Sequence, residues 1–277
     1  MSAMTVETSK LAIVAVFLVF VGLELWRGRF WFREQTTRKD AVLDLSSPVI
    51  TQTVGTGVLL AGGWLAELLV PNSAGMLAHW PWWAMFLTLL VADDLTQYGW
   101  HRMSHTSWLY PLHRPHHSAG YLSTRVVYRN NFIYYALMPG LWLSGALLHW
   151  GFAPVYAVYL LCKMTVIIAA HSSVPWDEPL YRNRLTAPLM WVVERLISTP
   201  STHAAHHGLH EADGVTNYHG NYGNFLFFWD VLFGTAHITR RRPVDYGIEN
   251  VAPVSLREEL LLPWPRGTAP RGATAGK

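Results

Sequence analysis

Charged residues are scarce in this chain. Asp, Glu, Lys and Arg make up only 14% of its 277 residues, whereas a soluble surface carries roughly a quarter to a third of them. That shortage excludes an ordinary soluble surface, and the 51% hydrophobic content excludes disorder over most of the length. A single cysteine, Cys162, excludes disulfide frameworks, cysteine-rich zinc sites and an iron–sulfur cluster on the chain's own thiolates. The net charge is only +3 and its carriers are spread out, which leaves no footprint for nucleic acid. Internal repeats are absent as well.

Long apolar runs are abundant. They cover Leu11–Trp26, about Val49–Val70, about Trp80–Gly99, Phe132–His149 and Pro154–Ala170, and each approaches the roughly 20 residues that cross a hydrocarbon core. Fourteen tryptophans suit the two interfaces such helices need. No small-residue cleavage site follows the first run, which reads as an uncleaved anchor helix. The last two runs are separated only by Trp150, Gly151 and Phe152, so they are expected to be antiparallel neighbours. Arg27, Arg29, Arg33, Arg38 and Lys39 follow the first run and place that side in the cytoplasm, together with Arg102, Arg114, Arg182, Arg184 and Arg195. The turns near Pro71–Pro81 and Trp150 carry no Lys or Arg and fall on the far side.

The expected fold is therefore an all-α, multi-pass transmembrane helical bundle. Two antiparallel helix hairpins and an N-terminal anchor helix would support a cytoplasmic, histidine-rich helical cap. Residues 1–45 read as anchor and basic segment, 46–240 as the main membrane domain, and 241–277 as a cytoplasmic tail. From Pro263 to Lys277 that tail is rich in Pro, Gly, Ala and Arg and is expected to be disordered.

Fourteen histidines stand out against this background, and ten of them fall in two short windows. The first window holds His101, His105, His113, His116 and His117; the second holds His203, His206, His207, His210 and His219. Within them the pattern is regular: H-x-x-x-H at 101–105, H-x-x-H-H at 113–117 and H-x-x-H-H at 203–207. Residues three and four apart share a helical face and can share a metal, while adjacent residues diverge by about 100°. The doublets 116/117 and 206/207 therefore suit two neighbouring ions, and eight histidines are too many for one. Imidazole donors alone suit Zn, Cu, Fe or Ni; metal-free interfacial histidines and a bis-histidine haem are the competing readings. His171, at the cytoplasmic end of the fifth run, is a ninth candidate, although the helix dipole alone also favours a histidine there. His79 and His149 lie across the membrane, and His237 reads as surface.

These residues resemble the fatty acid hydroxylase (sterol desaturase) superfamily of membrane di-iron enzymes. The resemblance rests on HRMSH at 101–105, LHRPHHS at 112–118, TPSTHAAHHG at 199–208 and NYGNFLFFWDVLFGT at 221–235, and it covers about Pro81–Thr239. It implies two iron ions, O2 as co-substrate and an external supply of electrons, used to hydroxylate an unactivated C–H bond of a lipid. The lipid would be a sterol, a fatty acyl or sphingoid chain, an alkylglycerol, a carotenoid or an aminolipid. One departure is the segment GLHEADGVTNYHG at 208–220, longer than the acidic link usual in the family. It leaves open whether His210 or His219 completes the metal shell.

Around the histidines, Asp94, Tyr98, His101 and His105 follow one another at helical spacing, so Asp94 and Tyr98 are candidates to support the ligands, as is Asp230. Lys163 stands eight residues before His171, and Asp93 and Asp94 seven or eight before His101. A buried pair between Lys163 and Asp93 or Asp94 is expected, because neither charge is tolerable alone in hydrocarbon; snorkelling of Lys163 is the competing reading. Phe225–Phe233 is too short to span and suggests a shallow interfacial helix. Arg125 and Arg129 read as sharing a helical face that could meet a phosphate headgroup, or as merely topogenic. With no Rossmann glycine fingerprint and no recognisable cytochrome b5 region, electrons would come from a ferredoxin or a cytochrome b5 with its reductase. The functional expectation is a di-iron lipid hydroxylase acting on a membrane lipid. Desaturation by the same site, a zinc hydrolase, and a catalytically silent metal-binding membrane protein are the alternatives.

Overall fold

A computed structural model of the protein describes residues 6–249 and 254–261; the tail at Pro263–Lys277 lies outside the described residues. Among the described residues there is no strand, only an isolated bridge between Gly208 and Tyr246. Helix α1 spans Val6–Trp26 and α2 spans Arg38–Leu69. The second helix begins well before the apolar run at Val49, because Thr37 and Asp40 form a capping box that satisfies its first amides. The expected boundary at residue 45 thus falls inside one continuous helix. Among the described residues, three segments are long and apolar enough to cross a membrane: Glu7–Trp26, Arg38–Leu69 and Pro139–His171.

The run expected at Trp80–Gly99 is helical but not uniform. Helix α3 (Trp82–Leu89) passes through a π-helical stretch, Leu90–Leu95, into α4 (Thr96–Ser104). That widened turn carries both Asp93 and Asp94, which are buried; π-turns inside helices commonly mark functional positions. After α5 (Tyr110–His117), the run expected at Phe132–His149 is split into α6 (Phe132–Leu137) and α7 (Pro139–Leu147). Pro139 is the cause: it pushes Met138 to an extended ψ of 111° and restarts the helix. Helix α8 (Ala153–His171) follows a second π-like stretch in which Gly151 has φ 111°, so two helices meet there at a kink only glycine adopts readily. The chain continues through α9 (Glu178–Arg182), α10 (Ala187–Leu196), α11 (Pro200–His206), α12 (Phe228–Phe233) and α13 (Leu256–Leu260).

Packing reverses the usual placement of polar and apolar groups. Leu11, Leu18, Leu60, Trp64 and Leu68 are exposed on α1 and α2, whereas Glu24, Asp40, Asp93, Asp94, Arg129 and Lys163 are buried. Helices α2 and α7 cross at backbone contact, since a Cβ at Gly62 would stand 2.4 Å from the Trp142 carbonyl and one at Gly145 2.2 Å from that of Leu59. At the far end, Gly75 and Leu77 donate their amides to the carbonyls of His149 and Trp150 (both 2.9 Å), which joins the 72–81 loop to the kink at Gly151.

At the histidine end, charged groups do the joining. Arg129 is fully buried and donates to Asp40 (3.0 Å), Asp44 (2.6 Å) and the Tyr121 hydroxyl (2.7 Å). Arg125 donates to Asp44 (2.7 Å) and to the carbonyls of Phe30 and Trp31. The two arginines do not share a helical face: Arg125 lies in a 3-10 turn (Thr124–Val126) and Arg129 in the loop after it. Their guanidinium groups are spent inside the protein, which corrects the expectation of a headgroup contact. Glu24, near the end of α1, accepts from the Thr124 and Ser173 amides (3.1 and 2.8 Å) and from the Thr124 and Ser172 hydroxyls. Glu259 on α13 accepts from Arg114 of α5 (3.3 Å) and from Lys39 (3.0 Å).

Removing one member of a buried charge network leaves the others uncompensated, at a cost of about 3–5 kcal/mol. Arg129→Met is therefore expected to lower the thermal midpoint of the detergent-solubilised protein markedly, with Arg129→Lys intermediate because an ammonium lacks the guanidinium fork. An unchanged midpoint in Arg129→Met would show that the Asp40–Arg129–Asp44 junction holds nothing together.

Candidate metal centre

Four elements deliver the histidines. Helix α4 supplies His101 and, at its C-cap, His105; α5 supplies His113, His116 and His117; the last residue of α8 is His171; and α11 supplies His203 and His206, with His207 as its C-cap. Helix α11 starts reliably because Thr199 and Thr202 form a capping box and Pro200 occupies its first turn. These nine rings fall into two groups whose candidate ligand atoms all lie within 4.8 Å of one another. The first comprises His101, His105, His113, His117 and His206; the second comprises His116, His171, His203 and His207. The adjacent histidines separate, 117 and 206 to the first group and 116 and 207 to the second. Neither group contains a carboxylate or thiolate.

The hydrogen bonds on the outer sides of the rings decide what the inner nitrogens can do. His101 and His206 place Nδ1 at 2.6 and 2.7 Å from the carbonyl oxygens of Tyr222 and Gly220. A carbonyl only accepts, so in both rings the proton resides on Nδ1 and Nε2 carries a bare lone pair. Yet these two Nε2 atoms face each other at 3.0 Å. His116 and His171 repeat the arrangement, donating to Val126 (3.1 Å) and Ile167 (2.8 Å) while their Nε2 atoms stand 3.2 Å apart. No proton is available to bridge either pair. Charging a ring is disfavoured too, since burial holds His116, His117, His203, His206 and His207 well below the usual histidine range. Opposed lone pairs are relieved by a cation between them, and about 3.0 Å is the separation of two neighbouring donors each about 2.1 Å from one metal ion. Nε2 of His105 is buried without a partner, a further sign of a donor awaiting a metal. The residues fit a metal centre.

The remaining histidines stay apart. His210 is half exposed and pairs with Glu249; His219 is exposed with its ring against Tyr218. His79 and His237 are exposed, and His149 bonds Glu67 at 2.8 Å. None of these belongs to either group. Lys163 Nζ donates to Asp93 Oδ2 at 2.6 Å, and the Tyr159 hydroxyl donates to the same oxygen at 2.8 Å. Asp94 instead accepts from Trp229 Nε1 (2.8 Å) and the Leu226 amide (3.3 Å), holding the approach to α12. The Tyr98 hydroxyl lies 3.0 Å from that of Thr235. Asp230 accepts from the amides of Tyr222 (2.8 Å) and Gly223 (2.6 Å) and from the Thr235 hydroxyl (2.6 Å). Burial raises its carboxyl above the ordinary range while those three donors favour the anion.

Several supporting groups escape a reading of side-chain patterns. Asn130 receives His113 Nδ1 at 2.7 Å, and Asn221, at φ 56°, donates to the carbonyls of Thr202 and His237. The carbonyls of Gly220, Tyr222, Val126 and Ile167 orient rings, but a carbonyl carries no residue signature. The one available signal was the clustering of Asn221, Tyr222 and Gly223 just ahead of Asp230.

A model of the fatty acid hydroxylase family matches residues 86–235, just over half of the chain. Among curated proteins, an alkylglycerol monooxygenase of Xenopus tropicalis is 28% identical over 177 residues, 61% of this chain and 33% of that protein. The ornithine lipid hydroxylase OlsE of Rhizobium tropici is 27% identical over 267 residues, 92% of this chain and 74% of that protein. An alkylglycerol monooxygenase of Danio rerio is 28% identical over 158 residues, 56% of this chain and 30% of its own. The chain thus spans about a third of the length of the alkylglycerol monooxygenases and about three quarters of the ornithine lipid hydroxylase. No solved structure matches.

Two outcomes follow for the purified protein. His206→Ala and His116→Ala, one from each group, are each expected to lower bound metal measured by elemental analysis, whereas His149→Ala leaves it unchanged; loss of metal in His149→Ala would contradict the grouping. The metal-free protein should also lose stability as pH falls below about 6.5, because the unfolded chain then binds protons that the buried rings of His203, His206 and His207 refuse. A thermal midpoint that stays constant from neutral to mildly acidic pH would show that these rings are not held neutral.

Proposed function

The chain belongs to the fatty acid hydroxylase family, and we propose that it is an O2-dependent di-iron monooxygenase that hydroxylates a membrane lipid. One observation carries the reading: two adjoining groups of imidazoles present facing Nε2 lone pairs whose protons are committed elsewhere. Iron bound there would supply O2 activation for attack on an unactivated C–H bond. Written out, R–H, O2, two electrons and two protons give R–OH and water, so an electron-donating protein is required; a ferredoxin or a cytochrome b5 with its reductase would serve.

The chain's own residues define the rest of the site. His101, His105, His113, His117 and His206 would hold one iron, and His116, His171, His203 and His207 the other. Tyr134 stacks on His113 with ring centroids 5.1 Å apart, and Trp100 packs on Tyr134, a wall that keeps water off the rings. The buried Asp93–Lys163 pair joins the π-helical stretch to α8. In the bundle we infer, α1 and α2, the helix through α3 and α4, and the pair α7 and α8 cross the bilayer. The basic residues at the histidine end support a centre on the cytoplasmic side. The substrate enters sideways from the bilayer.

The relatives named for lipid hydroxylation support a polar lipid with a long alkyl or acyl chain. Because the similarity to the ornithine lipid hydroxylase runs along 92% of this chain, an aminolipid is the first substrate to try. Lipids extracted from a host that expresses the protein with a ferredoxin–reductase system are expected to include a species heavier by one oxygen atom. The label should come from isotopically labelled O2 and not from labelled water, and the species should be absent with His203→Ala. A product lighter by two hydrogens would make the enzyme a desaturase; no O2 consumption with any lipid would refute the reading.

A further inference from the structure

The peptide group that receives His101 has surroundings the other ring-orienting peptides lack. His101 Nδ1 donates to the Tyr222 carbonyl at 2.6 Å. The N–H of that same peptide unit belongs to Gly223, and it donates to Asp230 Oδ2, also at 2.6 Å. One planar amide therefore has a carboxylate at one end and a candidate metal ligand at the other. Asp230 is fully buried, and its other oxygen is held by the Tyr222 amide and the Thr235 hydroxyl. The approach is close enough that a Cβ on Gly223 would stand 2.8 Å from Oδ2. By contrast, the peptides that receive His206 and His116 end on neutral carbonyls: Asn221 N donates to Thr235 (3.0 Å) and Val127 N to Thr124 (3.4 Å).

We propose that Asp230 is a positioning residue that acts on His101 through the Tyr222–Gly223 peptide, making this imidazole a stronger donor to the metal held by the first histidine group. This rests on the metal-centre reading above. A carboxylate bonded directly to a ligating histidine fixes its tautomer and raises its basicity, and hydrogen bonds in series polarise one another. Here the anion draws on the Gly223 N–H, electron density moves to the Tyr222 oxygen, and that oxygen holds the Nδ1 proton more strongly. Nε2 is left richer in electrons. Two main-chain amides and a hydroxyl fix the carboxylate, so the polarisation exists before any metal arrives.

The test uses the full chain, stripped of metal and titrated with Fe2+ without oxygen, followed by measurement of the midpoint potential of the reconstituted protein. Asp230→Asn keeps the shape and removes the charge. It is expected to weaken metal affinity about 10–100-fold and to raise the potential, because a poorer donor favours the reduced metal. Thr235→Val keeps the charge but removes one hydrogen bond from the carboxylate, concentrating its negative charge, and should lower the potential. Opposite shifts support the relay, since mere loosening of the segment would move both variants the same way. Wild-type affinity and potential in Asp230→Asn, or shifts of the same sign in both, would overturn it. Should Asp230→Asn fail to fold, Thr235→Val decides: a lowered potential supports the relay and an unchanged or raised one refutes it. If the unsubstituted protein takes up no iron, the metal-centre reading fails and the relay with it, an outcome recognisable before any variant is made.

Discussion

The site depends on where the protons of four imidazoles are kept. At His101, His206, His116 and His171 a main-chain carbonyl holds the proton on Nδ1 and bares Nε2 toward the interior. The carbonyls of Tyr222 and Gly220 belong to loops and that of Val126 ends a short 3-10 turn, so no long helix or sheet ladder fixes them. Other side chains do that instead: Asp230 fixes Tyr222 and Gly223, Asn221 ties its own loop to Thr202 and His237, and Glu24 grips Thr124 beside Val126 and the amide of Ser173 beyond His171. Helix α1, whose hydrophobicity suggests only an anchor, thus reaches the centre through its one buried glutamate.

The interior that surrounds this centre is polar and its lipid-like exterior is not. Asp93 with Lys163, Arg129 with Asp40 and Asp44, and Arg114 with Glu259 are all withdrawn from solvent in pairs. Burying such pairs contributes little net stability, since desolvation offsets most of the attraction, but a mispaired arrangement is costly. Their effect is to select one way of assembling helices whose apolar surfaces would otherwise slide past one another.

How much of this was legible in sequence follows from the range of each interaction. The histidine pattern was legible because its spacing is local, so periods of three and four state which rings share a face. Apolar runs located the long helices for the same reason. The break at Met138 follows from Pro139 and could have been read; the π-stretch at Leu90–Leu95 could not, since widening a turn leaves no mark in composition. Arg125 and Arg129 depart from the shared helical face that four-residue spacing suggests, because Ser123 caps only a short 3-10 turn there and the loop folds back onto Asp40 and Asp44. The Lys163 partner was narrowed to two neighbouring aspartates, and only packing chose Asp93, because the π-turn aims Asp94 toward Trp229.

Backbone contact between α2 and α7 at Gly62 and Gly145 leaves no side-chain cushion between them. Two rods touching main chain to main chain have no slack to yield, so this pair behaves as a single stiff wall. Any parting of the bundle wide enough to admit a guest molecule must open along a different seam, where side chains can rotate out of the way.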